Sequence, residues 1–153
     1  MPEHRERIDR AIAALDGVDA LLVTNLVNVR YLTGYTGSNG IVVLSADRAV
    51  FVTDFRYADG VEHLRSLLDV VVLERDIAGM TVEGLREYAP GCASVGFEGA
   101  LPYALAERLR GLAPAGVELV LADGAIEALR IVKSPAEIAA TRHAADVLET
   151  VYR

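Results

Sequence analysis

Residues 30–45 read RYLTGYTGSNGIVVLS, and their character changes twice. Arg30, Tyr31 and Leu32 suit the end of a helix. Gly34, Gly37 and Gly40 then punctuate a small polar loop holding Tyr35, Thr36, Ser38 and Asn39. Ile41, Val42, Val43 and Leu44 follow as an apolar run of buried-strand type. The next turn, Ser45-Ala46-Asp47-Arg48, leads into a second strand-like run at residues 49–53. Two strands joined by so short a polar turn read as a hairpin. Helix, glycine loop and hairpin together place an antiparallel pair inside a chain that otherwise alternates helix and strand.

That alternation extends in both directions. Upstream, Ile8, Ala11, Ile12 and Leu15 fall on one helical face, which ends near Gly17. Residues 20–23 form a short strand, and residues 25–33 a short helix capped by Asn25 and stopped by Gly34. Downstream, helical spacing covers residues 57–68 through Val61, Leu64 and Leu68. A strand is expected at 70–73, a helix at 81–88 ended by Pro90-Gly91, and a strand at 94–97. Leu101, Leu105, Leu109 and Leu112 make a leucine-faced helix. A last strand at 118–121 and a short helix at 125–131 complete the pattern. The class is α/β, with a mixed central β-sheet flanked by helices.

Lys133-Ser134-Pro135-Ala136-Glu137 is a strong helix start. Ser134 stands at the N-cap, Pro135 at the first helical position, and Glu137 completes a capping box. Ile138, Thr141, Ala145, Leu148 and Tyr152 then form a stripe that runs to Arg153 with no C-cap glycine. A well-started amphipathic helix with no partner element after it suggests a chain cut from something longer.

Composition narrows the function. The 153 residues are 52% apolar, enough for a real core and too apolar for disorder. The net charge is −7, and Lys133 is the single lysine, which argues against a nucleic-acid or anionic-membrane surface. Cys92 has no partner for an intrachain disulfide. The charged start lacks a signal region, and no apolar run reaches the roughly 20 residues that span a bilayer. A soluble cytoplasmic protein is expected.

No catalytic constellation assembles from the residues themselves. A dinucleotide fingerprint needs its glycines between a strand and a helix, and here the order is reversed; a P-loop needs Gly-Lys-Ser/Thr, and no lysine is near. The 34–40 loop is therefore a turn-rich connector or a loop aimed at a ligand. Asp59, Glu62 and His63 share a helical stretch but offer too few ligands for a metal, so a solvated face is the better reading. Asp54 and Arg56 make either a local ion pair with an N-cap, or a device in which Arg56 fixes the glycine loop or reaches a substrate carboxylate. Cys92 reads as a buried or incidental thiol, and His4 and His143 as solvated. Ser38 lacks a nucleophile elbow. No catalytic residue and no metal ligand is assigned.

The order NVRYLTGYTGSNG, FVTDFRY, EALRIVKSPAEIAATRHAAD resembles the amino-terminal half of the creatinase/prolidase/aminopeptidase P family. The resemblance implies a ribonuclease H-like α/β domain over residues 1–131 that is itself non-catalytic, with residues 132–153 as linker and first helix of the catalytic domain. It supports dimerisation and walls an active-site cleft, commonly the partner subunit's. It also implies a carboxy-terminal pita-bread domain with two divalent ions (manganese, cobalt or zinc) held by two Asp, one His and two Glu. That domain cleaves the bond before proline. By the same resemblance Tyr35, Thr36, Ser38 and Asn39 close the far side of the cleft and limit substrate length, and Arg56 and Tyr57 line the same region. No His or Asp lies between Gly34 and Gly40, which favours aminopeptidase over dipeptidase use. The implied partners are the catalytic domain, a second copy, and proline-containing peptides. The alternatives are a creatinase-type amidinohydrolase, a catalytically inactive binding member, and a stand-alone small-ligand module.

Overall fold

The computed structural model describes residues 2–152. Its elements are α1 (Pro2–Ala13), β1 (Ala20–Val23), α2 (Leu26–Thr33), β2 (Gly40–Ser45) and β3 (Ala49–Asp54). Two 3₁₀ segments follow (Phe55–Tyr57 and Asp59–Ser66), then β4 (Asp69–Leu73), α3 (Ile77–Glu83), α4 (Leu85–Tyr88) and β5 (Ser94–Phe97). The chain continues through α5 (Tyr103–Leu112), β6 (Glu118–Leu121), α6 (Ala125–Ile131) and α7 (Pro135–Tyr152). Six strands form one mixed sheet in the order β4-β3-β2-β1-β5-β6. β1, β2 and β3 run antiparallel to their neighbours within that trio. The pairs β3–β4, β1–β5 and β5–β6 are parallel. The α/β class with a mixed sheet is what the hydrophobic pattern predicts.

Helices cover both faces, so central strands are apolar on both sides. Side chains alternate along a strand, and the two cores divide accordingly. Ala20, Leu22, Ile41, Val43, Val50 and Val52 face α3, α4 and α5, with Leu85, Ala106 and Leu109 opposite. Leu21, Val23, Val42, Leu44 and Phe51 face α1, α2, α6 and the longer 3₁₀ segment, with Ile8, Val29, Leu32, Leu64 and Ile126 opposite. Each outer strand has a carbonyl held by an arginine: Arg65 Nη1 donates to Val70 O, and Arg110 Nε to Leu119 O, both at 3.3 Å. Such contacts occupy edge acceptors that another strand would use.

Two elements differ from the periodicity reading. Residues 57–68 form 3₁₀ turns rather than an α-helix. The buried residues there are Val61, Leu64, Leu67 and Leu68, and the first three, three apart, suit three residues per turn. The helix expected at 81–88 begins earlier, at Ile77, capped by Asp76, and breaks at Gly84. A Cβ at Gly84 would lie 2.6 Å from the Tyr88 ring, so the second short helix packs its own tyrosine into that gap.

α7 departs from the body. Its start carries the reciprocal bonds of a capping box, Ser134 N to Glu137 Oε2 at 2.9 Å and Glu137 N to Ser134 Oγ at 3.2 Å. Arg7 of α1 reaches Glu137 at 3.1 Å. Beyond that first turn no α7 residue is buried. Arg153, to which the sequence pattern extends this helix, lies outside the described residues. Among the described residues no helix is long and apolar enough to cross a membrane.

Candidate functional site: the glycine loop and the Asp54–Arg56 corner

The loop starts where α2 ends. Asn25 caps α2 by accepting from Val27 N at 3.0 Å, and Gly34 closes it in the left-handed region at φ 77°. Glycine adopts that conformation without the Cβ penalty. His4 lies against this cap, donating from Nδ1 to Tyr31 O at 3.3 Å, so it is half-buried rather than solvated as its sequence context suggested.

Tyr35 turns inward. It is 7% exposed and its ring packs on Phe51 at 4.8 Å and edge-on to Tyr57 at 5.8 Å. Its amide donates to Thr33 Oγ1 at 3.1 Å and its hydroxyl to Asn39 O at 3.0 Å. Thr53 Oγ1 donates to the same carbonyl at 2.6 Å. The ring lies so close to the loop that a Cβ at Gly37 would fall 2.1 Å from the Tyr35 hydroxyl, and one at Gly40 2.8 Å from Phe51. The later two glycines make room for a tyrosine laid beneath the loop. Burial pushes the Tyr35 phenol up from its ordinary value, which leaves it protonated and unsuited to act as a base.

Asp54 ties the loop to the end of β3. Its carboxylate, 4% exposed, accepts from Arg56 Nε and Nη2 at 2.8 Å each and from the Arg56 amide at 3.0 Å. It also accepts from the Asn39 side-chain amide. The Arg56 bonds hold the Asp54 carboxyl well below the usual carboxylate range, against the opposing effect of desolvation, and Asn39 adds to the lowering. The same bonds hold Arg56 more firmly protonated. A two-pronged pair of this kind fixes both partners in orientation. Arg56 nevertheless remains largely exposed and lies over the Tyr57 ring at 5.6 Å. The Ser38 and Tyr57 hydroxyls share a hydrogen bond at 2.6 Å.

The structure thus brings Tyr35, Ser38, Asn39, Arg56 and Tyr57 into one network. Thr36 stands outside it, exposed and without a side-chain hydrogen-bond partner among the described residues. Asp54 and Arg56 form the local capped ion pair of the first reading, and it is Asp54, not Arg56, that bonds the loop through Asn39. Thr33, Thr53 and Phe51 are supporting residues that motif reading did not find: Thr53 and Phe51 meet the loop only after the chain folds, and Thr33 makes a local bond to the Tyr35 amide. The corner presents a preorganised polar surface. Ser38 is bonded to a phenol rather than to a base, so the arrangement suits binding rather than bond cleavage.

The remaining candidates are separate from this corner. Glu62 pairs with Arg65 at 2.8 Å, and Asp59 and His63 are exposed. Among the described residues no group of three or more His, Cys, Asp or Glu side chains is placed to hold a metal. Cys92 is buried, and burial pushes its thiol up. A second polar network was invisible in the sequence. Glu98, 2% exposed, accepts from the amides of Thr24 and Asn25 at 2.6 Å each, and from Asn28 Nδ2 at 2.6 Å. The one available signal was a charged residue directly after the buried strand β5. This carboxylate sits at the amino end of α2, where helix charge favours it, and so fixes the helix that leads into the loop.

The fold is shared with known proteins. An Xaa-Pro dipeptidase from Bacillus anthracis is 30% identical with a TM-score of 0.80, covering 88% of this chain and 38% of its own. The N-terminal domain of the cytoplasmic peptidase PepQ from Mycobacterium tuberculosis H37Rv is 35% identical with a TM-score of 0.70, over 82% of this chain and 97% of that domain. Among curated proteins, the uncharacterized peptidase YqhT of Bacillus subtilis (strain 168) is 31% identical over 138 residues, 90% of this chain and 38% of that protein. The chain therefore spans about two fifths of the length of the longer relatives it matches. The family model described as the creatinase/prolidase N-terminal domain matches residues 5–132, which takes in the whole sheet and the whole corner, and this chain belongs to that family.

Proposed function

We propose that this chain is the non-catalytic amino-terminal domain of a metal-dependent Xaa-Pro peptidase, and that its glycine loop walls the cleft in which proline-containing peptides are cut. The observation that carries the reading is the corner itself. Four hydrogen bonds tie Asn39 and Arg56 to Thr53 and Asp54 of β3, and two more join Tyr35 to Asn39 and Ser38 to Tyr57, with no base or nucleophile activated among the loop residues. A loop held this firmly keeps a fixed shape against a substrate, which is what limiting peptide length requires. Thr36, Ser38, Asn39 and Arg56 present the polar surface, Tyr57 backs Ser38, and Tyr35 supports the loop from below.

The two divalent ions (manganese, cobalt or zinc) that such a peptidase uses do not fit the described residues, which offer no cluster for them. They belong, in this reading, to a catalytic domain for which residues 132–153 are the linker and first helix. Dimerisation in the cytoplasm, with each amino-terminal domain facing its partner's cleft, completes the proposal. The absence of His and Asp between Gly34 and Gly40 favours aminopeptidase use.

The test is Thr36→Ala with Ser38→Ala in a protein carrying the region after α7. Hydrolysis of Xaa-Pro peptides of two to six residues is expected to change in kcat/KM or length preference, with Tm within about 2 °C, since exposed substitutions cost little stability. Unchanged kinetics at every length would return the loop to a connector. The 153-residue chain alone is expected to show no turnover with added manganese, cobalt or zinc. Turnover above the metal blank would overturn the non-catalytic assignment.

A further inference from the structure

Next to the glycine loop the carboxyl ends of β1 and β5 open onto a cavity of about 270 Å³. The topology creates it. β1 and β5 are parallel neighbours, yet β1 leads into α2 on one face of the sheet and β5 into α5 on the other. Strands that send their helices to opposite faces leave a crevice beyond their carboxyl ends, where α/β proteins bind ligands. Ile41, Ile77, Leu101 and Leu105 supply apolar wall, and Asn25 and Asn39 supply polar rim. No ionisable side chain lines it.

The two asparagines are each half-used, in opposite senses. The Asn25 side-chain oxygen accepts from Val27 N, and its amide N–H₂ has no hydrogen-bond partner among the described residues. The Asn39 N–H₂ donates to Asp54, and its side-chain oxygen has no partner among the described residues. These bonds also settle which atom is which in both amides. One spare donor and one spare acceptor complement a peptide unit, which brings one C=O and one N–H. A volume below the 300–1,000 Å³ of ordinary ligand pockets suits a single residue rather than a whole small molecule. The uncharged lining disfavours a chain terminus or a charged side chain.

We propose that this cavity binds one aliphatic side chain of an extended peptide, with the adjoining main-chain amide held between Asn25 and Asn39. Ser38 lies on both the cavity and the loop network, so an occupant here is continuous with the surface assigned to substrate. Calling the peptide a substrate rests on the peptidase reading. The binding does not.

The probe is N-acetyl-leucine methylamide, titrated into the ¹⁵N-labelled 153-residue chain and followed by amide shifts. Saturable shifts confined to Thr24, Ser38, Asn39, Ala78 and Ala100 are expected. The glycine analogue is expected to bind about tenfold or more weakly, since it lacks the buried side chain. Asn25→Asp keeps an oxygen for the α2 cap but replaces the spare donor by a carboxylate oxygen, whose charge falls near Glu98, so a loss of about tenfold in affinity is expected, read in a variant whose amide spectrum outside the cavity matches the parent. Ala78→Phe, which fills the cavity, is expected to abolish the shifts. If that variant does not fold, Asn25→Asp carries the test alone. Absence of saturable shifts, equal binding of the glycine probe, or full affinity in Asn25→Asp would each overturn the site. Failure here leaves Xaa-Pro hydrolysis by the longer protein to be judged on its own assay, and loss of that activity leaves this binding result standing.

Discussion

The 34–57 corner and α7 are both surface features, and they are held in opposite ways. The exposed part of the corner, residues 36–39 with Arg56, is small and polar, yet it is cross-linked to the strands beneath it. Tyr35 is sunk onto Phe51, Asn39 is bound through both its carbonyl and its amide, and Asp54 is gripped by Arg56. α7 has the stronger local signals, with a capping box at its start and an apolar stripe along its length. After the Arg7–Glu137 contact it touches nothing that buries it: Leu148 is 58% exposed and Tyr152 87%. Local propensity makes α7 a helix, but only tertiary partners make a segment stable. The corner has those partners and α7 does not.

The largest expected effect lies beneath the corner. Phe51 is fully buried and is the floor on which Tyr35 rests. Phe51→Ala removes both core volume and that floor, and is expected to cost about 3–5 kcal/mol. Denaturant unfolding measures it. The loop amides of residues 35–40 are expected to lose hydrogen-exchange protection in the same variant while α7 is unaffected. Equal loosening of α7 would break the contrast between the two regions.

A smaller effect is expected at Asp54, where pH separates electrostatics from packing. The Asp54 carboxyl is held below its ordinary value of 3.8 by Arg56 and Asn39. The folded state therefore favours the ionised form. Its contribution is complete above about pH 4 and drains away as pH falls below that and through the depressed folded value. Asp54→Asn is expected to lower Tm at pH 7. The gap between variant and parent is expected to narrow at pH 2.5, where the parent has lost part of the same interaction. A gap independent of pH would mean that the aspartate acts through shape alone.

What the sequence made legible follows the same division. β1, β5, β6 and α6 can be placed because short apolar runs bounded by turn residues have few alternatives. α2 can be placed because Asn25 and Gly34 mark both its ends. The 3₁₀ turns at 59–66 are harder, since Val61, Leu64 and Leu68 satisfy helical spacing and are all buried, and the tighter period shows only in Leu67 being buried beside them. The corner's membership is visible as two motifs, but its wiring is not. Tyr35 reads as a loop residue facing out, and it faces in because Phe51, on another strand, offers a ring to pack on. Asn39 and Asp54 meet only once β2 and β3 have paired. The Glu98 carboxylate under α2 likewise depends on the parallel pairing of β1 with β5.

The smallest effect on stability, and the most informative one on association, is expected in α7. Leu148→Ser replaces an exposed apolar residue that packs on nothing within the chain. The change in unfolding free energy is expected within about 0.5 kcal/mol, against the several kcal/mol of Phe51→Ala. Yet Ile138, Val147, Leu148, Val151 and Tyr152 together leave an apolar surface at least 41% exposed at every position. Surface of that kind associates when concentrated, and two amphipathic helices meet readily as an antiparallel pair. Sedimentation velocity of the 153-residue chain is therefore expected to show self-association that Leu148→Ser weakens and removal of residues 134–153 abolishes. The helical cap makes the first of these a clean test, because Ser134 and Glu137 lie three turns from Leu148 and keep the helix start intact in the variant. Dimers of equal affinity in all three proteins would move the association surface to the α/β body. Monomers in all three would show that the Arg7–Glu137 contact and the cap hold α7 as an isolated projecting helix.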